Sequence, residues 1–198
     1  MKKLLLLSAV CLCATSGYAL DVKPYVEGKI SHNWMKAAYS EENFETNFKD
    51  HSIWGGSLEI GTKLDQFRIG LEGYYNDDMK DKFFNHIPVK GETKGVFLNG
   101  YFDIPLPDLK QIKPYVGAGI GYSWLKETLD ATSFDLGKTS AKDHSLSWNA
   151  GLGLGYALND NIDLTLGYRY EYLGEIKEYD SKTKFKNNKV SLGLRYTF

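Results

Sequence analysis

Side chains that alternate apolar and polar, residue by residue, constrain this chain more than any other feature. Ile162, Leu164, Leu166, Tyr168 and Tyr170 share one face of a segment whose other face holds Asp163, Thr165, Gly167, Arg169 and Glu171. The terminal VSLGLRYTF repeats the scheme, with Val190, Leu192, Leu194, Tyr196 and Phe198 opposite Ser191, Gly193, Arg195 and Thr197. A period of two belongs to a β-strand, because successive side chains of an extended backbone point to opposite sides. Traced backwards, the pattern predicts strands at about 22–35, 51–64, 67–76, 94–104, 113–127, 145–158, 162–173 and 187–198, an even number, in an all-β chain.

The N-terminus, MKKLLLLSAVCLCATSGYA, places Lys2 and Lys3 before an apolar run and ends in small residues, the pattern of a cleaved secretory signal. Residues 1–19 are therefore expected to be removed, leaving 20–198 as one domain. The apolar run is too short for a spanning helix. Cys11 and Cys13 lie inside it behind Val10 and Leu12, which disfavours lipidation, and both leave with it. The mature chain then has no thiol and folds without a disulfide. Losing two lysines takes the 24 basic and 25 acidic side chains to 22 and 25, a net charge of −3 with no basic footprint for nucleic acid. No later segment is long and apolar enough to cross a bilayer as a helix, so the chain is either a secreted soluble β-protein or a closed membrane barrel.

Connection lengths separate these options. Asp65-Gln66, Pro105 to Gln111 and Asn159-Asp160-Asn161 are short, whereas 36–50, 77–93, 128–144 and 174–186 are long and polar. Short turns at one end and long loops at the other are the signature of a closed up-and-down antiparallel transmembrane barrel, here of eight strands. The chain also repeats itself: KPYVEGKISHNW (23–34) aligns with KPYVGAGIGYSW (113–124), and WGGSLEIGTKL with WNAGLGLGYAL. Two similar halves of four strands are expected.

Topology fixes the level of each side chain. Trp34 and Trp124 end upward strands and Trp54 and Trp148 begin downward ones, which places all four on the apolar face at the long-loop level. Indole rings favour the bilayer interface, so these four form one aromatic girdle, with Phe67, Phe102, Tyr156, Tyr196 and Phe198 opposite. The other face lists the lumen: Glu27, Lys29, Glu59, Lys63, Arg68, Glu72, Asp103, Asp163, Arg169, Glu171 and Arg195, with Tyr25, Tyr74, Asn99 and Tyr101. Gly117, Gly119, Gly121, Gly151, Gly153 and Gly155 leave room on one wall for long side chains from the other. An interior of this size is just filled by side chains, so these charges are expected to pair into a polar plug; the alternative is an ion path.

The KPYVGAGIGYSW strand after a proline-containing turn and the closing VSLGLRYTF resemble those of small eight-stranded outer-membrane barrels, the group typified by the OmpA transmembrane domain, OmpX and the neisserial opacity proteins. The resemblance covers residues 20–198. It implies a Gram-negative outer membrane, contact with its lipid and lipopolysaccharide, and recognition of Tyr196 and Phe198 by the barrel-assembly machinery. It also implies roles in adhesion, host contact or envelope integrity, through host or envelope proteins met by the loops. With Phe198 closing the last strand, the peptidoglycan-binding domain of full-length OmpA-type proteins is not expected.

Little points to chemistry. His32, His51, His86 and His144 lack metal-ligand spacing, and neighbours Asp143, His144 and Ser145 cannot share one face of a strand. The Gly117–Gly121 run is strand-periodic with no helix after it, unlike a phosphate loop. No cofactor is implied. Small barrels also include lipid A deacylases and palmitoyltransferases, but no outward-facing Ser/His pair is evident. Phe44, Phe48, Phe83, Phe84 and Phe134 stand in the long loops as candidate contacts. The leading expectation is a non-enzymatic surface barrel displaying four loops; the alternatives are a narrow pore and, third, a lipid-modifying enzyme.

Overall fold

The computed structural model describes the backbone of residues 22–41, 44–47, 51–83, 87–109, 111–130, 138–178 and 181–198. Side chains are described over 22–35, 52–77, 93–109, 111–124, 144–174 and 185–198. The expected signal peptide lies outside these residues. The strands are β1 (Val22–Glu41), β2 (Phe44–Asn47), β3 (His51–Leu64), β4 (Phe67–Phe83), β5 (Ile87–Asp103), β6 (Ile112–Asp130), β7 (Lys138–Ala157), β8 (Ile162–Glu178) and β9 (Ser181–Thr197). All pairs are antiparallel and follow chain order, and β1 also pairs with β9, so eight strands close a barrel while β2 folds back on the far end of β1.

Closure fixes the shape. Starting at Tyr25 and stepping through register partners, the path runs Gly61, Gly70, Asn99, Gly119, Asn149, Glu171 and Asn187, and returns to β1 at Met35. The sheet has slipped ten residues in one circuit. With a rise of ~3.3 Å per residue against eight spacings of ~4.8 Å, the strands tilt by roughly 40°. Adjacent partners are therefore not level: each step onward climbs by a little more than one residue.

The tight turns have local causes. Asp65 adopts φ 55°, the sense that primed two-residue hairpin turns require at their first position. Asn159 Oδ1 accepts the backbone N–H groups of Asn161 and Ile162 at 2.9 and 2.8 Å, an Asx turn that starts β8. The chain ends by stitching the seam, with the Phe198 N–H donating to the Pro24 carbonyl at 2.9 Å.

The strands at the long-loop end run beyond the expected limits. The segments read as loops from 36, 77, 128 and 174 are in large part ladder: Ala38–Glu41 pairs with Phe44–Asn47, Met79–Phe83 with Ile87–Gly91, and Glu175–Glu178 with Ser181–Lys184. Polar residues stand at both odd and even positions of these segments, so the sequence alternation that marks a half-buried strand disappears while backbone pairing continues. β8 and β9 shift register between Tyr172 and Gly174, where Gly174 takes φ 110°, a conformation L side chains rarely adopt. The halves repeat in facing but not in register. His32 pairs with Trp54 whereas Ile120 pairs with Trp148, so the aligned tryptophans are offset by two residues in one hairpin and four in the other. An even offset preserves the face of every side chain.

Candidate functional site

The barrel wall sorts its side chains without exception along the central strands. Leu58, Ile60, Leu71, Leu98, Ile120, Leu152, Leu154, Leu166, Leu192 and Leu194 all face outward and are exposed. A continuous apolar belt of this kind is not the surface of a water-soluble domain. Trp34, Trp54, Trp124 and Trp148 are likewise exposed on this face. Allowing for tilt, their heights agree to within roughly 7 Å. Phe67, Phe102, Tyr156, Tyr196 and Phe198 form a second ring at the short-turn end, roughly 20–25 Å away, which matches the apolar band of a membrane barrel. Tyr196 and Phe198 stack edge to face at 4.9 Å.

Inside, Glu27, Lys29, Glu59, Lys63, Arg68, Glu72, Asp103, Asp163, Arg169, Glu171 and Arg195 each take part in an ion pair, and the pairs form three tiers. At the short-turn end Arg68 Nε donates to both oxygens of Asp103, at 2.9 and 3.1 Å, and Lys63 adds an ion pair at 3.2 Å. The Arg68 guanidinium lies over the Tyr101 ring at 4.4 Å and near Tyr115 at 5.0 Å. Lys113 pairs with Asp163 at 2.6 Å. Glu27 accepts from the Thr165 hydroxyl at 2.7 Å and faces Arg195 at 3.5 Å.

The middle tier is built on two carboxylates. Glu59 accepts hydrogen bonds from the Tyr25 and Tyr101 hydroxyls at 2.5 and 2.7 Å and from Lys29 at 2.8 Å. Glu72 accepts from Asn99 at 2.9 Å and from Arg169 Nη1 at 2.8 Å, with Lys29 3.3 Å away. Both carboxylates are buried, and each has more than one charged or hydroxyl donor, which offsets the cost of taking a carboxylate out of water. Above them Glu171 pairs with Lys189 at 2.7 Å and accepts from Asn187 at 2.8 Å, and Asn187 also donates to Asn33.

Among the described residues the ion pairs join six carboxylates to seven cations, so this part of the interior is close to neutral and has no field of one sign along its axis. Lys113, Lys189, Asn33 and Asn187 were not among the expected members. Their signal was available: 187, 189 and 195 share a parity on β9, as 113 and 115 do on β6.

The long-hairpin end of the lumen departs from the expected polar interior. Met35, Ile53, Tyr74, Phe97 and Leu173 are buried together, with Phe185 against them, as an apolar cap level with the tryptophan ring. Tyr74 stacks on Phe97 at 5.4 Å while its hydroxyl bonds Ser123 at 2.6 Å, so this ring joins the cap to the polar tier.

The glycines also act differently from the expectation. Gly117, Gly121 and Gly153 of the expected wall, together with Gly61 and Gly95, lie beneath rings of the neighbouring strand instead of receiving side chains from the opposite wall: Tyr25 pairs with Gly61, Tyr74 with Gly95, Phe97 with Gly121, Tyr101 with Gly117 and Tyr115 with Gly153. A Cβ at any of these five glycines would overlap its partner ring. Flat rings over glycine fill the lumen while leaving space for the ion pairs.

The expectation that no outward Ser/His pair exists is overturned. Ser52 Oγ and His32 Nε2 are 2.6 Å apart on the outer face, with the imidazole edge-on to Trp34 and Trp54. The pair was hidden because strand pairing, not sequence distance, joins β1 to β3. His32 Nδ1 is buried without a hydrogen-bond partner, so the carboxylate that orients a catalytic imidazole is missing from this dyad. His144 faces outward while Ser145 turns inward, in line with the opposite facing expected of them. Among the described residues no cluster of metal-ligating side chains forms. Of the loop phenylalanines, Phe44 opens β2 and Phe83 closes β4, their side chains lying outside the described set; Phe48, Phe84 and Phe134 lie outside the described residues altogether.

Comparisons with known proteins agree with this architecture. Residues 4–198 match the family described as outer membrane protein beta-barrel domain. An opacity protein of Neisseria gonorrhoeae is 29% identical, the match covering 88% of this chain and 93% of that one. Outer membrane protein PagN of Salmonella typhimurium is 30% identical over a match spanning 57% of this chain but only 54% of PagN. Among solved structures, Neisserial surface protein A superposes with a TM-score of 0.65 at 19% identity, covering 88% of this chain and 97% of that one.

Proposed function

Because this chain belongs to the outer membrane protein beta-barrel domain family, and so is a barrel of the Gram-negative outer membrane, we propose that it acts without catalysis, as a rigid mount for surface recognition. Its long hairpins contact host molecules or other envelope components, and the barrel itself carries no traffic. The observation that carries this reading is the filled lumen. Arg169 reaches Glu72 on the opposite wall, Lys29 joins Glu72 to Glu59, and the apolar cap closes the end above them. Among the described residues the ion pairs alternate in sign, so no charged track of one sign remains for an ion. What is left to vary is the set of hairpins beyond the tryptophan ring, and likeness to opacity proteins supports surface contact as their use.

The barrel-assembly machinery and the lipopolysaccharide leaflet are the partners this placement brings; a host or envelope protein at the hairpins is the finer proposal. Phe44, Phe48, Phe83, Phe84 and Phe134 are its candidate anchors, since aromatic residues within polar stretches of sequence are the type that concentrates binding energy at interfaces. Replacing the hairpin tips at 42–50, 84–86, 131–137 and 179–180 with short Gly/Ser turns tests it. Heat-modifiable gel mobility should persist, and binding of expressing cells to host cells or matrix should fall to the level of the empty vector. Undiminished binding by tip-less protein at the cell surface would remove the proposal.

A further inference from the structure

The outward face of β3–β6 carries a feature that neither the lumen nor the hairpins use. Lys94 on β5 faces outward in register with Tyr75 on one side and Trp124 on the other, so an ammonium stands within the aromatic ring. Among the described side chains it is the outward charge set deepest toward the apolar belt. Asp77 lies two residues farther along β4 from Tyr75, and Lys186 also stands farther toward the hairpins; below Lys94 the outward face is uncharged down to the second aromatic ring.

Immediately beneath Lys94 the belt is notched. Gly73 is flanked in register by Leu58 and Val96, and nothing lies within 4 Å of the position its Cβ would take. Gly56, the partner of Tyr75, meets only the Lys29 carbonyl oxygen at 3.6 Å. The notch widens into a groove of about 710 Å³ with Gly56, Leu58, Gly73 and Tyr75 on one side and Lys94 and Trp124 on the other. Leucine, valine or isoleucine occupies most other belt positions, so two adjacent outward glycines under a lysine make a depression with an apolar floor and a cationic upper edge.

We propose that this groove is a binding site for one phosphorylated glycolipid of the outer leaflet, an acyl chain lying over Gly56 and Gly73 and a phosphate held by Lys94 between Tyr75 and Trp124. The occupant follows from position and charge. A belt residue in a membrane is always covered by lipid, the level of the tryptophans on the long-hairpin side is the outer leaflet's interface, and the lipid there is anionic and saccharide-headed. Aromatic side chains at that depth stack against sugar rings, and a lysine anchored among them reaches headgroup phosphate without leaving the interface. The inference depends only on the outer-membrane placement and not on what the hairpins bind.

Native mass spectrometry of refolded protein in detergent, titrated with bisphosphorylated lipid A, dephosphorylated lipid A or phosphatidylglycerol, tests the site. Wild type should retain bisphosphorylated lipid A in preference to both others. Lys94→Gln should weaken retention about fivefold, the worth of one basic residue at an anionic interface. Gly73→Leu, which fills the notch in open space, should lower retention of every acylated probe; gel mobility shows that each variant is folded. Equal retention by folded wild type, Lys94→Gln and Gly73→Leu, or phosphatidylglycerol retained as well as lipid A, would overturn the proposal.

Discussion

Arg169 on β8 holds Glu72 on β4 at 2.8 Å, a bond between strands that stand opposite each other in the ring of eight. It is a chord across the barrel, closed over a sequence separation of 97 residues. Removing either end leaves a buried charge without its principal partner, and that penalty is about 3–5 kcal/mol. Arg169→Met and Glu72→Leu should each destabilise the protein by this amount in urea unfolding from lipid vesicles. The double variant should recover much of the loss. Additive losses would mean that the two side chains are not coupled.

Ion conduction requires both closures to be undone. Wild-type protein in planar bilayers should give no reproducible current. Phe97→Ala with Leu173→Ala removes much of the cap, at about 2–5 kcal/mol per site, yet should remain silent because the Arg169–Glu72 chord persists below it. Adding Arg169→Ala to that pair should produce current. Steady current from the unaltered protein would contradict the occluded lumen.

Glycine substitutions should divide by face. Gly117→Val places a branched side chain into the Tyr101 ring, whose hydroxyl holds Glu59, and should cost about 1–3 kcal/mol. Gly100→Val, on the adjacent strand but facing outward, meets only the Ala118 carbonyl oxygen at 4.0 Å and should change stability by no more than about 0.5 kcal/mol. Chevron or equilibrium unfolding of the two variants side by side decides the matter.

Single-tryptophan variants, with the other three indoles replaced by Phe, should report one depth. Quenching by lipids brominated at successive acyl positions is expected to place Trp34, Trp54, Trp124 and Trp148 in the same shallow zone, with a spread of roughly 7 Å. A tryptophan near the bilayer midplane would invalidate the strand tilt derived from the register.

Legibility in the sequence followed burial on one face. Wherever a strand has lipid on one side and the packed lumen on the other, the alternation is strict, and Leu192, Gly193, Leu194 and Arg195 fall where the period puts them. Beyond the tryptophans polar residues stand at both odd and even positions, and the ladder between Glu175–Glu178 and Ser181–Lys184 left no mark in the residue types. Charged lumen residues could be named from parity, but their partners could not. Asp103 lies beside Arg68 because β4 and β5 adjoin, whereas Thr165 meets Glu27 only because β9 closes onto β1.

The sequence by itself determined the class of the fold, the facing of each central side chain and the common level of the four indoles. Each of these follows from the two-residue period of an extended backbone and the order of turns along it. Tertiary structure alone decided the ten-residue slip at closure, the chord from Arg169 to Glu72, the cap around Phe97 and the meeting of Ser52 with His32. Those depend on which residues become neighbours when a tilted sheet is joined end to end, and a local pattern carries no record of that geometry.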